Sequence, residues 1–144
     1  MKLEQVLDLW DKEGRLDRTN LDEESLAIPS LHARWLRILV EEKLRLKALE
    51  SERSRLKLEK YEFLTQGPTK ETQAKGWVHP ARGVILKAEV GSYMDADPQM
   101  VEMNLRVAYQ AEVVSACELI FKSIQGRNWE ISRAIEWRKH QAGG

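Results

Sequence analysis

The sequence predicts an all-α fold, and three observations carry that prediction. From Ser30 to Leu64 the chain has neither glycine nor proline. From Met100 to Ile124 apolar residues recur at alternating steps of three and four. Charged residues make up 32% of the 144 residues, with only 8 glycines and 4 prolines, against roughly 25% charge in ordinary soluble domains. That surplus belongs on long solvent-facing helices. The expected subunit is an elongated helical hairpin or bundle, one or two small helical units in all.

Each element has its own signal. Leu3, Val6, Leu7 and Trp10 lie at helical spacing between Lys2 and Glu13, and Gly14 follows as a stop. Thr19, with Asp22 three residues on, reads as a capped helix start. Pro29 disfavours the helical conformation of Ile28, so a kink or restart is expected there. The stretch from Ser30 then forms a rod of roughly 50 Å at ~1.5 Å per residue. Trp35, Leu39, Leu46, Leu49, Leu56 and Phe63 mark an imperfect heptad seam, with Glu42, Arg53 and Lys60 at the skipped positions. Coiled coil and antiparallel hairpin partner are both open for it.

Residues 65–83 read as loop, punctuated by Gly67-Pro68, Gly76, His79-Pro80 and Gly83, with Trp77 as a packing anchor. Val84 to Met94 has short apolar character, broken by Gly91, and is expected to form a short helix. Asp97-Pro98 is a strong helix start, an acid cap followed by proline at the first helical position. The stripe that follows holds Met100, Met103, Val107, Val114, Cys117, Phe121 and Ile124, interrupted by Gln110, and is wider than one partner helix covers. Gly126 is the expected stop, and Asn128 the cap of a last helix carrying Trp129, Ile131, Ile135 and Trp137. Three regions result: 1–66 helical, 67–96 loop and linker, 97–144 helical and associating.

Composition narrows function. The formal net charge is zero, so nucleic-acid affinity requires clustering of cations on one face or repetition in an oligomer. The N-terminus lacks the apolar segment of a signal peptide, and no apolar run approaches the ~20 residues of a membrane span. With one cysteine, no intrachain disulfide forms, and a reducing compartment is expected. No phosphate-cradling glycine motif is present. His32, His79 and His140 are scattered, with no metal and no cofactor implied, and Cys117 sits in an apolar stripe as a structural thiol. Nothing assembles an acid, a base and a pocket, so no enzyme is expected.

One segment stands out. Arg53, Arg55, Lys57 and Lys60 crowd together, with only Glu59 and Glu62 near enough along the helix to compensate. Tyr61 and Phe63 follow at once. Cations meet phosphates and rings stack on bases, so the cluster is a candidate binder of single-stranded nucleic acid. Periodicity alone favours a solvated helix face for the charges, and core packing for both rings.

The residues also resemble the UvsY family of phage recombination mediators, over nearly the whole chain. The resemblance is carried by Leu16-Asp17, Thr19, Leu21 and Leu31-His32-Ala33-Arg34-Trp35. It continues in the run from Leu56 to Thr65, in Tyr93-Met94-Asp95-Ala96-Asp97, and in Ala134-Ile135-Glu136-Trp137-Arg138-Lys139. It implies single-stranded DNA binding, a ring-like homo-oligomer, and assistance to a RecA-like (UvsX-like) recombinase in displacing a single-strand-binding protein. It also implies a phage-encoded protein working in the host cytoplasm. The family's DNA-binding motif is Lys-Ala-Arg between two leucines, before an aromatic pair. In the register that aligns the aromatics, Lys60 matches the Arg and Leu58 falls where the Lys stands. The phosphate role then passes to Lys57, or is shared with Arg53 and Arg55. Self-association is expected through Met100, Met103, Val107, Val114, Phe121, Ile124, Trp129, Ile135 and Trp137. The competing reading is a non-enzymatic helical-bundle scaffold or adaptor whose basic face only solubilises it.

Overall fold

A computed structural model describes residues 1–81 and 84–143. Its helices are α1 (Leu3–Glu13), α2 (Leu21–Gln66), α3 (Lys70–Ala74), α4 (Val90–Ala96), α5 (Pro98–Gln125) and α6 (Arg127–Gln141). No strand occurs among the described residues. The expected loop signal at Gly83 lies outside them.

The chain packs as two compact units, residues 1–45 with 110–144, and residues 46–109. The three regions expected from the sequence break at or beside the ends of α2 and α4. The boundaries between the compact units fall inside α2 and inside α5.

In the first unit Val6, Leu21, Trp35, Leu39, Val113, Val114, Cys117, Ile120, Ile124 and Ile131 are buried. Trp10 meets Trp35 edge to face, with ring centroids 5.7 Å apart. The Trp35 indole N–H donates to Glu13 Oε2 at 2.8 Å, which satisfies its one polar atom. A side chain at position 14 would stand 2.7 Å from the Trp10 carbonyl oxygen and 2.8 Å from its ring, so only glycine fits the turn after α1. Buried Arg127 ties down that turn, donating to the carbonyls of Gly14 and Arg15 at 3.2 and 3.1 Å and pairing with Glu24 at 3.3 Å.

The second unit is built on Phe63, Leu64, Ile85, Val90, Met94 and Met100, with Leu56, Tyr61, Trp77, Ala81 and Tyr93 packed around them. The Leu64 carbonyl accepts from the Ile85 amide at 3.0 Å and from His79 Nε2 at 3.2 Å. The segment before α4 is thereby pinned to the end of α2. Trp77 lies edge-on to Phe63 with centroids 5.5 Å apart, the anchoring role expected of it.

Several local expectations are corrected. Thr19 does not cap α2; its hydroxyl and amide both donate to Asp17, at 2.6 and 2.9 Å. These bonds hold the Asp17 carboxyl below its usual range. Pro29 does not interrupt α2. It is exposed, so the carbonyl it leaves without a donor faces water at modest cost. The expected loop contains α3, started by Thr69, whose hydroxyl accepts from the Thr72 amide at 3.3 Å. The short helix expected from Val84 begins only at Val90, as α4, with Gly91 inside it. Asn128 lies inside α6, and Gly126 precedes that helix with φ −81°, not in the left-handed stop conformation. Asp97 behaves as expected, its carboxylate accepting from the Met100 amide at 3.0 Å, with Pro98 in the first turn of α5.

Candidate nucleic-acid interface

The polar residues on the α2 seam decide the character of this surface. Lys60 is 5% exposed. Its ammonium pairs with Asp97 at 3.1 Å and lies 3.9 Å from the centre of the Trp77 ring. Asp97 therefore uses one oxygen to cap α5 and the other to neutralise Lys60. A buried charge needs such a partner. Lys60 thus stands inside the fold, and its expected phosphate contact is corrected to an internal ion pair. Phe63 is 4% exposed, within the core, which removes it as a stacking platform. Tyr61 is half-buried against the same core.

The remaining cations are free. Arg53, Arg55 and Lys57 make no ion pair among the described residues, whereas Arg106 pairs with Glu52 and Lys75 with Glu59. Glu59 is therefore answered by Lys75, not by its helix neighbours. Arg53 and Lys57, one turn apart, share a face of α2. Arg55 is turned about 200° from Arg53 at ~100° per residue. Arg53 is half-buried, while Arg55 and Lys57 are exposed. Arg53 and Lys57 line a cleft of about 290 Å³ with Ser54, Met94, Asp95, Met100 and Asn104. Asp95, in the Asp-Ala-Asp segment where α4 ends, and Asn104 join this cleft only through the fold, since neither carries a local signal for binding an anion.

In the first unit the breaks in the two apolar stripes meet. Glu42 is 1% exposed and Gln110 8%. The Gln110 amide donates to the Glu42 carboxylate at 2.7 Å and to its backbone carbonyl at 3.0 Å. The Met1 α-amino group pairs with the other carboxylate oxygen at 2.6 Å. Burial pushes the Glu42 carboxyl up, but the hydrogen bonds from Met1 and Gln110, together with the charges of Met1 and of Arg45 at 3.4 Å, outweigh it and hold it below the ordinary value. Cys117 is buried, and burial, aided by the charge of Glu42, pushes its thiol up to about 11. Its place in the core is that of a structural thiol.

The residues expected to associate separate into two groups. Met100, Val107, Val114 and Ile124 are 2, 6, 7 and 1% exposed, spent within the chain's own cores. Met103, Phe121 and Ile135 are half-buried, and Phe121 packs on the His32 ring with centroids 4.6 Å apart. Trp129 and Trp137 stand open on α6, 65 and 61% exposed. The stripe looked too wide for one chain because two compact units draw on it.

A family model described as recombination, repair and ssDNA binding protein UvsY matches residues 9–144. In fold the chain is similar to crystal structures of the bacteriophage T4 recombination mediator protein UvsY. The lattice type II form superposes with a TM-score of 0.81 at 18% identity, over 99% of this chain and 98% of that one. The lattice type IV form gives 0.78 at 16% identity, over 98% and 99%. No curated protein matches the chain significantly.

Proposed function

The chain belongs to the UvsY family of recombination, repair and single-stranded DNA binding proteins, and on that premise we propose that it is a recombination mediator. It binds single-stranded DNA on the cationic surface of α2. It promotes loading of a RecA-like recombinase onto strands covered by single-strand-binding protein. The observation that carries the reading is the pair Arg53 and Lys57, cations without partners among the described residues on one face of α2, with unpaired Arg55 on the opposite side of the helix, on a neutral chain. Phosphate contacts carry no base information, so binding has little sequence preference. One such group binds weakly. Several copies in a homo-oligomer engage one strand together, and avidity adds roughly two to four orders of magnitude. The recombinase, not this protein, hydrolyses ATP.

The test has two parts. Fluorescent oligo-dT is titrated at several salt concentrations, and the log-log slope is expected at about −0.7 per phosphate neutralised. The double change Arg55→Ala with Lys57→Ala weakens binding and flattens that slope while helicity holds. Steady-state ATP turnover by the cognate recombinase, on DNA coated with single-strand-binding protein, then rises with added mediator and rises less with the double variant. Binding unchanged by salt and by both substitutions, or no stimulation across a full titration, would overturn the reading.

A further inference from the structure

Three charged residues interrupt the seam of α2, and the fold answers only two of them. Glu42 receives the Met1 α-amino group and the Gln110 amide. Lys60 receives Asp97. Arg53, the third, is half-buried and has no ion-pair partner among the described residues. No carboxylate among those residues answers its charge, which leaves the guanidinium open to an anion from outside. Asp95 lines the same cleft, yet pairs with neither Arg53 nor Lys57.

We propose that Arg53 is answered from outside the chain, and that its cleft seats a single phosphodiester of the bound strand. This rests on the reading that the surface takes single-stranded DNA, and it names further residues for that site. Arg53 supplies a planar donor fork suited to two phosphate oxygens, and Lys57 adds a second cation from the same face. Ser54 is not a donor here, because its hydroxyl already donates to the Glu50 carbonyl at 3.0 Å. The neutral donor is the side-chain amide of Asn104, which is exposed and has no other partner among the described residues. The cleft of about 290 Å³ is many times the ~30 Å³ share of one water molecule, and every residue lining it belongs to the unit 46–109. Asp95 opposes the phosphate and weakens the seat. A protein that hands a strand to a recombinase must release it as well as hold it, and a carboxylate beside two cations provides that release. The Asp95-Ala96-Asp97 segment, where α4 ends, then divides its labour. Asp97 holds the fold, and Asp95 sets how long the strand stays.

The experiment uses the full chain, 5′-labelled oligo-dT, anisotropy across a salt series, and thermal melts followed by circular dichroism. Arg53→Met keeps the apolar stem and removes the charge. It should weaken binding, reduce the salt slope by about 0.7, and leave the melting temperature equal or higher. Asn104→Ala should weaken binding roughly fivefold, the worth of one neutral hydrogen bond, with the slope unchanged. Asp95→Asn should tighten binding and slow dissociation by a similar factor. A lower melting temperature with parental affinity for Arg53→Met would make Arg53 a packing residue and overturn the proposal. Parental affinity in both Asn104→Ala and Asp95→Asn would also overturn it, while leaving DNA binding by Arg55 and Lys57 standing. A parent that does not bind oligo-dT at all would remove the cleft and the wider reading together.

Discussion

Lys60 shows what a cation becomes once a packing face claims it. It sits in register with exposed cations, yet its ammonium lies under Trp77 and against Asp97. Lys60→Met leaves Asp97 without its cation. Because the Asp97 side chain is 20% exposed, the cost is expected at about 2 kcal/mol, below that of a fully buried pair. Thermal melts should show that loss, while the folded variant binds oligo-dT at parental affinity; a large affinity loss with an unchanged melt would return Lys60 to the DNA surface. The Glu42–Gln110 pair gives a complementary case. Gln110→Leu deprives a buried carboxylate and a carbonyl of their shared donor and should cost about 2 kcal/mol. Glu42→Leu combined with Gln110→Leu makes both stripes apolar, and should recover most of that loss in a denaturant-based double-mutant cycle. The parent's Glu42 contribution also has a defined pH sign. Its folded carboxyl lies below the 4.5 of the free group, so the unfolded chain binds the extra proton. The contribution is complete above that range and is lost as pH falls through the lower folded value. The double variant should lack this part of the acid loss.

The helices differ in how they tolerate the residues that punctuate them. Pro29 lies inside α2 and Gly91 inside α4, both exposed. Gly67 ends α2 with φ +89°, its amide donating to the Phe63 carbonyl at 3.1 Å. An added methyl group meets nothing within 4 Å at either position, so it is the positive φ that favours glycine at 67, and at 91 it is dispensable. Gly91→Ala should stabilise by about 0.5–1 kcal/mol through helix propensity and unfolded-state entropy. Gly67→Ala should destabilise by about 1 kcal/mol, because alanine must enter the left-handed region. Paired chemical denaturation curves check both, and equal midpoints would contradict the assignment of the two glycines.

At the scale of the whole molecule, α5 buries Met100, Val107, Val113, Val114, Cys117, Ile120 and Ile124 within the chain but leaves Leu105, Tyr109 and Leu119 exposed, and α6 exposes two tryptophans. Trp129 carries Arg133 over its face at 5.0 Å, and Trp137 stacks beside His140 with centroids 5.9 Å apart. Two large aromatic residues exposed on one short helix fit an association surface, since aromatics and arginine dominate such surfaces. Trp129→Glu with Trp137→Glu should therefore reduce the assembly state in sedimentation velocity at micromolar concentration, with helicity preserved. Phe121→Asp should instead lower stability, because that ring packs on His32. A monomeric parent, or a double variant that sediments like the parent, would exclude these rings from assembly.

The sequence by itself determined the long helices. An uninterrupted run after Ser30, the Asp97-Pro98 start and the three-four stripe from Met100 are local signals, and local hydrogen bonding and propensity are enough to read them. It also located the cationic segment and carried the residues of the family resemblance. Local signals failed where two local effects compete, as at Pro29, where flanking helix and solvent outweigh the break, and at Thr69, whose threonine cap lacks the usual acidic partner. Tertiary structure alone decided which charges face water. Glu42 and Gln110 read separately as breaks in two stripes 68 residues apart, and each is the other's partner. Lys60 reads like Arg53 and Lys57 along the helix, but an acid 37 residues away in sequence, Asp97, draws it inside. A charge is exposed or buried according to whether a distant group meets it, and that pairing is a property of the packed chain, not of any window of its sequence.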